Sequence, residues 1–310
     1  MENICQLLGI QYPIIQGAMA NISRYQLVGA VSEAGGLGVI ASGGMTANQL
    51  REQISEVKKM TQKPFAVNLM LQMKNIEELV EIIIEEKVPV VTTGAGIPKN
   101  FLPALHEAGV KVIPVIPNVK IAKKMEDLGV DAIIAEGQEA GGHIGQVSTL
   151  PLVRQVIRSV SIPVIAAGGI FDGAGMLAME ALGASGVQMG SLFLTSKECP
   201  IPDKFRKSVL QADETTTVVT GRRSGHPVRV LPNKMTETFI RLEYAGAPDE
   251  ELMQLTEGSL YRAVYNDDVE EGSLMCGQSI GLITDSQSVS TIIQQVMAEY
   301  QEARTKLMKK

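Results

Sequence analysis

VDAIIAEGQEAGGHIGQVSTLPLVRQVIRSVSIPVIAAGGI, residues 130–170, decides the fold. It holds two short apolar runs, 130–137 and 163–170, whose residues do not alternate with polar ones. Runs of that kind read as parallel strands buried on both faces. Between them Val153, Val156, Ile157 and Val160 recur at helical spacing. A glycine-rich loop, EGQEAGGHIGQVST (136–149), precedes that helix. The stretch is one β–α unit with an enlarged loop after its first strand.

Outward from it the unit repeats. Apolar, β-branched segments begin near residues 13, 37, 65, 88, 110, 130, 163 and 185. Helical spacing fills the intervals, most plainly at Ile76, Leu79, Val80, Ile83 and Ile84, with glutamates on the other face. Eight such units predict an α/β protein built as a (β/α)8 TIM barrel. A doubly wound sheet is the alternative, and the even spacing favours closure. The sixth and seventh strand starts lie 33 residues apart, from 130 to 163, against 20 to 28 elsewhere. Loops after barrel strands build the active face, so the lengthened loop is a candidate functional loop.

After residue 195 the rhythm stops. Residues 198–285 carry Pro200, Pro202, Pro227, Pro232 and Pro248, with helical pieces at 204–211 and 234–244. They predict a smaller lid or substrate domain following the barrel of residues 1–197. Residues 286–310 hold one amphipathic helix, 288–308, expected to pack back on the barrel. Net charge is −6 over 310 residues and no long basic run appears, which argues against a nucleic-acid partner. Three scattered cysteines with no CxxC support neither a disulfide framework nor a zinc site. MENICQLLGI lacks the pattern of a secretory leader, and no apolar run is long enough to span a membrane. A cytoplasmic protein is expected.

The strand ends bear no lysine, a single carboxylate (Glu136), and no cluster of metal ligands. Schiff-base, glycosidase and metal chemistry are thereby disfavoured. A face with so little chemistry of its own points to a bound cofactor. Gly168 and Gly169 after the seventh strand, with Gly190 and Ser191 after the eighth, sit where barrels bind phosphate. Tight turns also favour glycine, but two such clusters at these two positions favour phosphate. The phosphate belongs to a substrate or to FMN, and the missing acid–base pair favours FMN.

QGAM (16–19), AGGLG (34–38), NLML (68–71), TTGAG (92–96), AEGQEAGGHIG (135–145), AAGGI (166–170), GHPVR (225–229) and MCGQSIG (275–281) together resemble the flavin-dependent enoyl-[acyl-carrier-protein] reductases of the FabK type. That family lies within the nitronate monooxygenase (2-nitropropane dioxygenase-like) group. Ile144 after the loop histidine and the NLML segment resemble the reductases; Ala18 departs from the glycine they carry there. The resemblance implies FMN reduced by NADH or NADPH, and hydride transfer to Cβ of an enoyl-acyl-carrier-protein or enoyl-CoA thioester. It implies that Ala18, Met19, Asn68, Glu136 and Gln188 line the flavin. Gly141, Gly142, Gly168, Gly169, Gly190 and Ser191 would hold ribityl and phosphate, and Met275 and Gln278 would close over the ring. His143 would act beside the reacting carbon, as proton donor or by positioning the thioester. A homodimer and a response to monovalent cations are further family expectations. The stretch TGRRSGHPVR (220–229) reads either as a solvated turn or as a receiver for phosphates or an acidic carrier protein. The nearest rival on the same barrel is nitronate oxidation with O2. A flavin-free isomerase or lyase would need an acid–base pair that the strand ends lack.

Overall fold

The computed structural model describes residues 1–309. The barrel strands are β1 (Ile14–Gln16), β2 (Gly38–Ala41), β3 (Phe65–Met70), β4 (Val90–Gly94), β5 (Lys111–Ile116) and β6 (Ile133–Glu136), and then, after a two-residue strand β7 (Gly142–His143), β8 (Val164–Ala167) and β9 (Gly186–Met189). Each begins within three residues of its expected start. The eight pair in parallel in the order β1-β9-β8-β6-β5-β4-β3-β2, and a bridge between Ile15 and Leu37 joins the two ends. At that seam the Gln16 carboxamide accepts the Val39 N–H at 3.1 Å and donates to Ser23 Oγ at 2.8 Å. A buried side chain thus completes pairing where the strands are too short to do so.

Both faces of the sheet are apolar because successive residues point to opposite sides. Ile15, Val39, Ala66, Val90, Ile113, Ile134 and Ile165 fill the lumen. Their neighbours Ile14, Ile40, Val67, Val91, Val112, Ile133 and Ala166 pack outward against the helices. Ile4 and Leu8 of α1 (Glu2–Leu8) close the N-terminal end of the lumen. The surrounding helices are α2 (Tyr25–Glu33), α3 (Ala47–Met60), α4 (Ile76–Glu85), α5 (Leu102–Glu107), α6 (Val119–Asp127), α7 (Thr149–Ile157) and α8 (Gly173–Leu182). Val160, expected on the helix before the seventh barrel strand, lies beyond the end of α7 and only borders the core.

Past the barrel come α9 (Asp203–Leu210), the antiparallel strands β10 (Val218–Thr220) and β11 (Val228–Val230), then α10 (Lys234–Ala245), α11 (Asp249–Thr256), α12 (Ser259–Tyr265) and α13 (Val289–Met308). The second sheet has the order β10-β11-β7, so the enlarged barrel loop supplies one of its three strands. A single buried cluster runs from the barrel wall through Leu231, Ala263 and Leu274 to α13. Among the described residues no helix is long and apolar enough to cross a membrane.

The last helix lies close on α8. A Cβ at Gly173 would overlap the Tyr300 amide and the Val296 carbonyl, and the Tyr300 hydroxyl donates to Glu180 at 2.6 Å. Gly173→Ala therefore forces the two helices apart and should cost about 2 kcal/mol. The check is the urea midpoint of the purified variant, and an unchanged midpoint would contradict the close approach.

Candidate active site

The two-residue period that fills the lumen continues to its C-terminal rim, where the residues turn polar. Asn68 follows Ala66, Thr92 follows Val90, Glu136 follows Ile134 and Gln188 follows Gly186. Asn68 and Thr92 are register partners on adjacent strands, and the asparagine amide donates to Thr92 Oγ1 at 2.9 Å. The Gln188 side chain lies beside Gly17. Ala18 borders the lumen cluster, and the Met19 sulfur approaches the position a Cβ would take on Gly190. Among the described residues, neither the Glu136 carboxylate nor the Gln188 carboxamide has a hydrogen-bond partner. Burial pushes the Glu136 carboxyl up to about 7.

The enlarged loop is cross-braced at its neck. Gln138 N donates to the Val147 carbonyl at 2.9 Å, and its carboxamide donates to Ser148 Oγ at 2.8 Å. The Glu139 carboxylate accepts the Thr149 N–H at 2.9 Å and the Thr149 hydroxyl at 2.8 Å, and so caps α7. Glu139 escaped notice in the sequence. The signal was Ser148–Thr149 opening a helix whose first N–H groups need an acceptor, but the acceptor lies ten residues upstream.

At the loop's apex Gly142 and His143 pair with Arg229 and Val228, and Ile144 N donates to the Pro227 carbonyl at 3.0 Å. The segment Met275–Gly277 lies against Gly141, whose added Cβ would sit 2.5 Å from the Cys276 carbonyl carbon. The Met275 sulfur reaches the open side of Gly142. Gly277 N donates to Ser191 Oγ at 2.7 Å and Gln278 N to the Glu139 carbonyl at 2.9 Å. Gln278 is therefore held by its backbone, with its side chain exposed. His143 is exposed at the edge of this sheet; desolvation, and then the charge of nearby His226, hold its pKa below the ordinary histidine value.

Gly168 and Gly169 both adopt left-handed backbone, at φ 100° and 69°. No protein acceptor meets the N–H groups of Gly168, Gly169, Gly190 or Ser191 among the described residues. These two loops follow adjacent parallel strands. The helix that serves this end is only the three-residue 3-10 turn Ser191–Phe193, because Asp172 and Glu299 already cap α8. Orphan N–H donors and the Ser191 hydroxyl fit a phosphate. The partnerless amide and carboxyl groups at the rim fit the mixed donor and acceptor edge of the expected flavin.

The structure divides the basic stretch. Arg229 is buried, donating to the Gln138 carbonyl at 3.1 Å and to Thr217 Oγ1 at 3.0 Å, and burial lowers its pKa. Arg223 donates to the Glu243 carbonyl at the end of α10 at 2.7 Å. Arg222 and His226 stay exposed. His106 lies away from the site, on the surface, 3.0 Å from Asp131.

Glu136 carries a pH signature. Its folded-state pKa is raised, so its contribution to stability is full below the unfolded value of 4.5 and is lost as pH rises through about 7. Glu136→Gln should therefore stabilise the flavin-free protein at pH 8 by about 2 kcal/mol, a figure discounted from the full shift because the residue keeps some solvent contact. Near pH 4.5 the gain should vanish. Urea melts of both proteins at the two pH values check this, and equal gains at both would contradict it.

A family model for nitronate monooxygenase matches residues 2–79 and 75–299. FabK from Thermotoga maritima superposes with a TM-score of 0.96 at 46% identity, covering 99% of this chain and 98% of that one. A hydroxy-methyl-oxo-octahydroindene carboxyl-CoA dehydrogenase from Mycobacterium tuberculosis is 41% identical over 76% of this chain and 67% of its own length. A probable nitronate monooxygenase from Staphylococcus aureus is 36% identical over 95% of this chain and 97% of its own. The chain belongs to the nitronate monooxygenase family of oxidoreductases.

Proposed function

We propose that this chain is an FMN-dependent enoyl-[acyl-carrier-protein] reductase acting in the last step of type II fatty-acid elongation. The observation that carries the reading is the 46% identity to Thermotoga FabK over 99% of the chain, against 36% to the staphylococcal nitronate monooxygenase. When bound, FMN would take a hydride from NADH or NADPH and supply it to Cβ of a trans-2-enoyl thioester. The chain's own residues do the rest. Gly168, Gly169, Gly190 and Ser191 hold the phosphate through N–H groups that no protein atom among the described residues uses. Asn68, Gln188 and Glu136 meet the polar edge of the ring, with Glu136 neutral and able to donate below about pH 7. Met275 and the backbone of Gln278 cover the site from the C-terminal side.

His143 is the residue beside the reacting carbon. Its lowered pKa leaves the imidazole neutral near pH 7, with one N–H to donate. That N–H holds the thioester carbonyl and stabilises the negative charge that gathers on its oxygen, after which Cα takes a proton from solvent water. The same reading carries a cytoplasmic homodimer and a response to monovalent cations.

His143→Ala should keep bound flavin while NADH-dependent reduction of crotonyl-CoA falls about 100-fold or more. Full turnover in that variant would overturn the assignment. The second reading, nitronate oxidation, draws on the family model and the staphylococcal relative. It predicts O2-dependent turnover of propionate 3-nitronate without NADH, together with no reduction of crotonyl-CoA.

A further inference from the structure

The β10–β11 turn carries more positive charge than the fold employs. Arg229 braces the enlarged loop and Arg223 holds the end of α10, as described above. The Arg222 and His226 side chains make no hydrogen bond or ion pair with any protein group among the described residues. Neither is held on a loose loop. His226 N donates to the Gly221 carbonyl at 3.0 Å, the Ser224 hydroxyl donates to the same carbonyl at 3.2 Å, and Arg223 N donates to Glu243 Oε1 at 2.8 Å. The turn is fixed to the site as well, since β11 pairs Val228 with His143 and Pro227 receives Ile144 N–H.

The surroundings leave Arg222 and His226 without a carboxylate partner among the described residues. The chain has 34 acidic residues against 28 basic ones, yet no ion pair with a carboxylate reaches Arg222, Arg223, His226 or Arg229 among the described residues. These groups act on one another, while Glu139 opposes the effect at Arg229 alone. His226 adds to the desolvation that lowers the His143 pKa, and Arg222 adds to the burial that lowers that of Arg229. Like charges held together without a counterion cost free energy that an anionic ligand returns.

We propose that Arg222 and His226 form a subsite for the phosphate of the acyl carrier arm, the phosphopantetheine of a coenzyme A or acyl-carrier-protein thioester. The inference rests on the thioester-reductase reading of the site. With the thioester carbonyl at His143, the arm leaves the site along the strand that carries the turn, and its phosphate meets the Arg222 guanidinium and the His226 imidazole. The Arg222 guanidinium supplies a fork of N–H donors suited to two phosphate oxygens, and His226 supplies a single N–H.

The test is calorimetric binding of coenzyme A, phosphate-free pantetheine and NADH to the flavin-loaded protein, wild type against Arg222→Gln and the Arg222→Gln, His226→Gln double variant. Coenzyme A should bind about tenfold more weakly to Arg222→Gln and weaker still to the double variant. Its wild-type affinity should fall with added salt, and pantetheine should not respond to the substitutions. The KM for crotonyl-CoA should rise with the Kd at nearly constant kcat. Unchanged coenzyme A affinity, an equal loss for pantetheine, or a loss confined to NADH would each overturn the subsite. Wild-type protein that binds coenzyme A through Arg222 but never reduces crotonyl-CoA would retain the subsite and remove the reductase reading.

Discussion

The pairing of Gly142 and His143 with Val228 and Arg229 makes one site out of two distant pieces of chain. Two residue pairs are too few to hold a strand on their own. The bracing around them supplies the rest: Glu139 on the first N–H of α7, Arg229 on the Gln138 carbonyl, and Gly277 on the Ser191 hydroxyl. Each tie joins a barrel loop to its neighbour or to the C-terminal region. The position of His143 therefore depends on the β10–β11 turn and on Met275–Gly277 as much as on the barrel strand that precedes it.

The rim of the lumen has the opposite character. Below it the side chains are aliphatic and their packing closes the barrel; at it, Asn68 finds Thr92 while the Glu136 and Gln188 side chains find no partner among the described residues. A polar group left unpaired and partly buried costs about 1–3 kcal/mol. The four N–H groups after β8 and β9 are a similar reserve. A ligand that meets both sets gains that energy on binding, so a fold that tolerates them is organised around something it binds. The apolar floor from Ile15 to Ile165 keeps that ligand at the rim, because aliphatic side chains fill the lumen.

The barrel was legible because parallel strands buried on both faces leave unbroken apolar runs, and because β–α units recur at a steady spacing. The phosphate end was legible for a related reason: Gly168, Gly169 and Gly190 stand at fixed offsets from those strands. Other features were not. β7 is a Gly–His pair with no periodicity, and it exists only through pairing with a strand far along the chain. Glu139 caps a helix from ten residues away, a distance no capping motif spans. The basic stretch reads as one patch in sequence, yet packing sends Arg229 inward, Arg223 to a helix end, and Arg222 and His226 to solvent. Burial, which the sequence does not carry, makes that division.

The most direct measurement of the account is an anaerobic titration of the purified protein with NADH, followed in the visible flavin band. The account predicts a band that NADH bleaches and that crotonyl-CoA then restores, one equivalent of each sufficing. A flavin that stays oxidised under NADH, or a reduced protein that crotonyl-CoA leaves reduced, would contradict it.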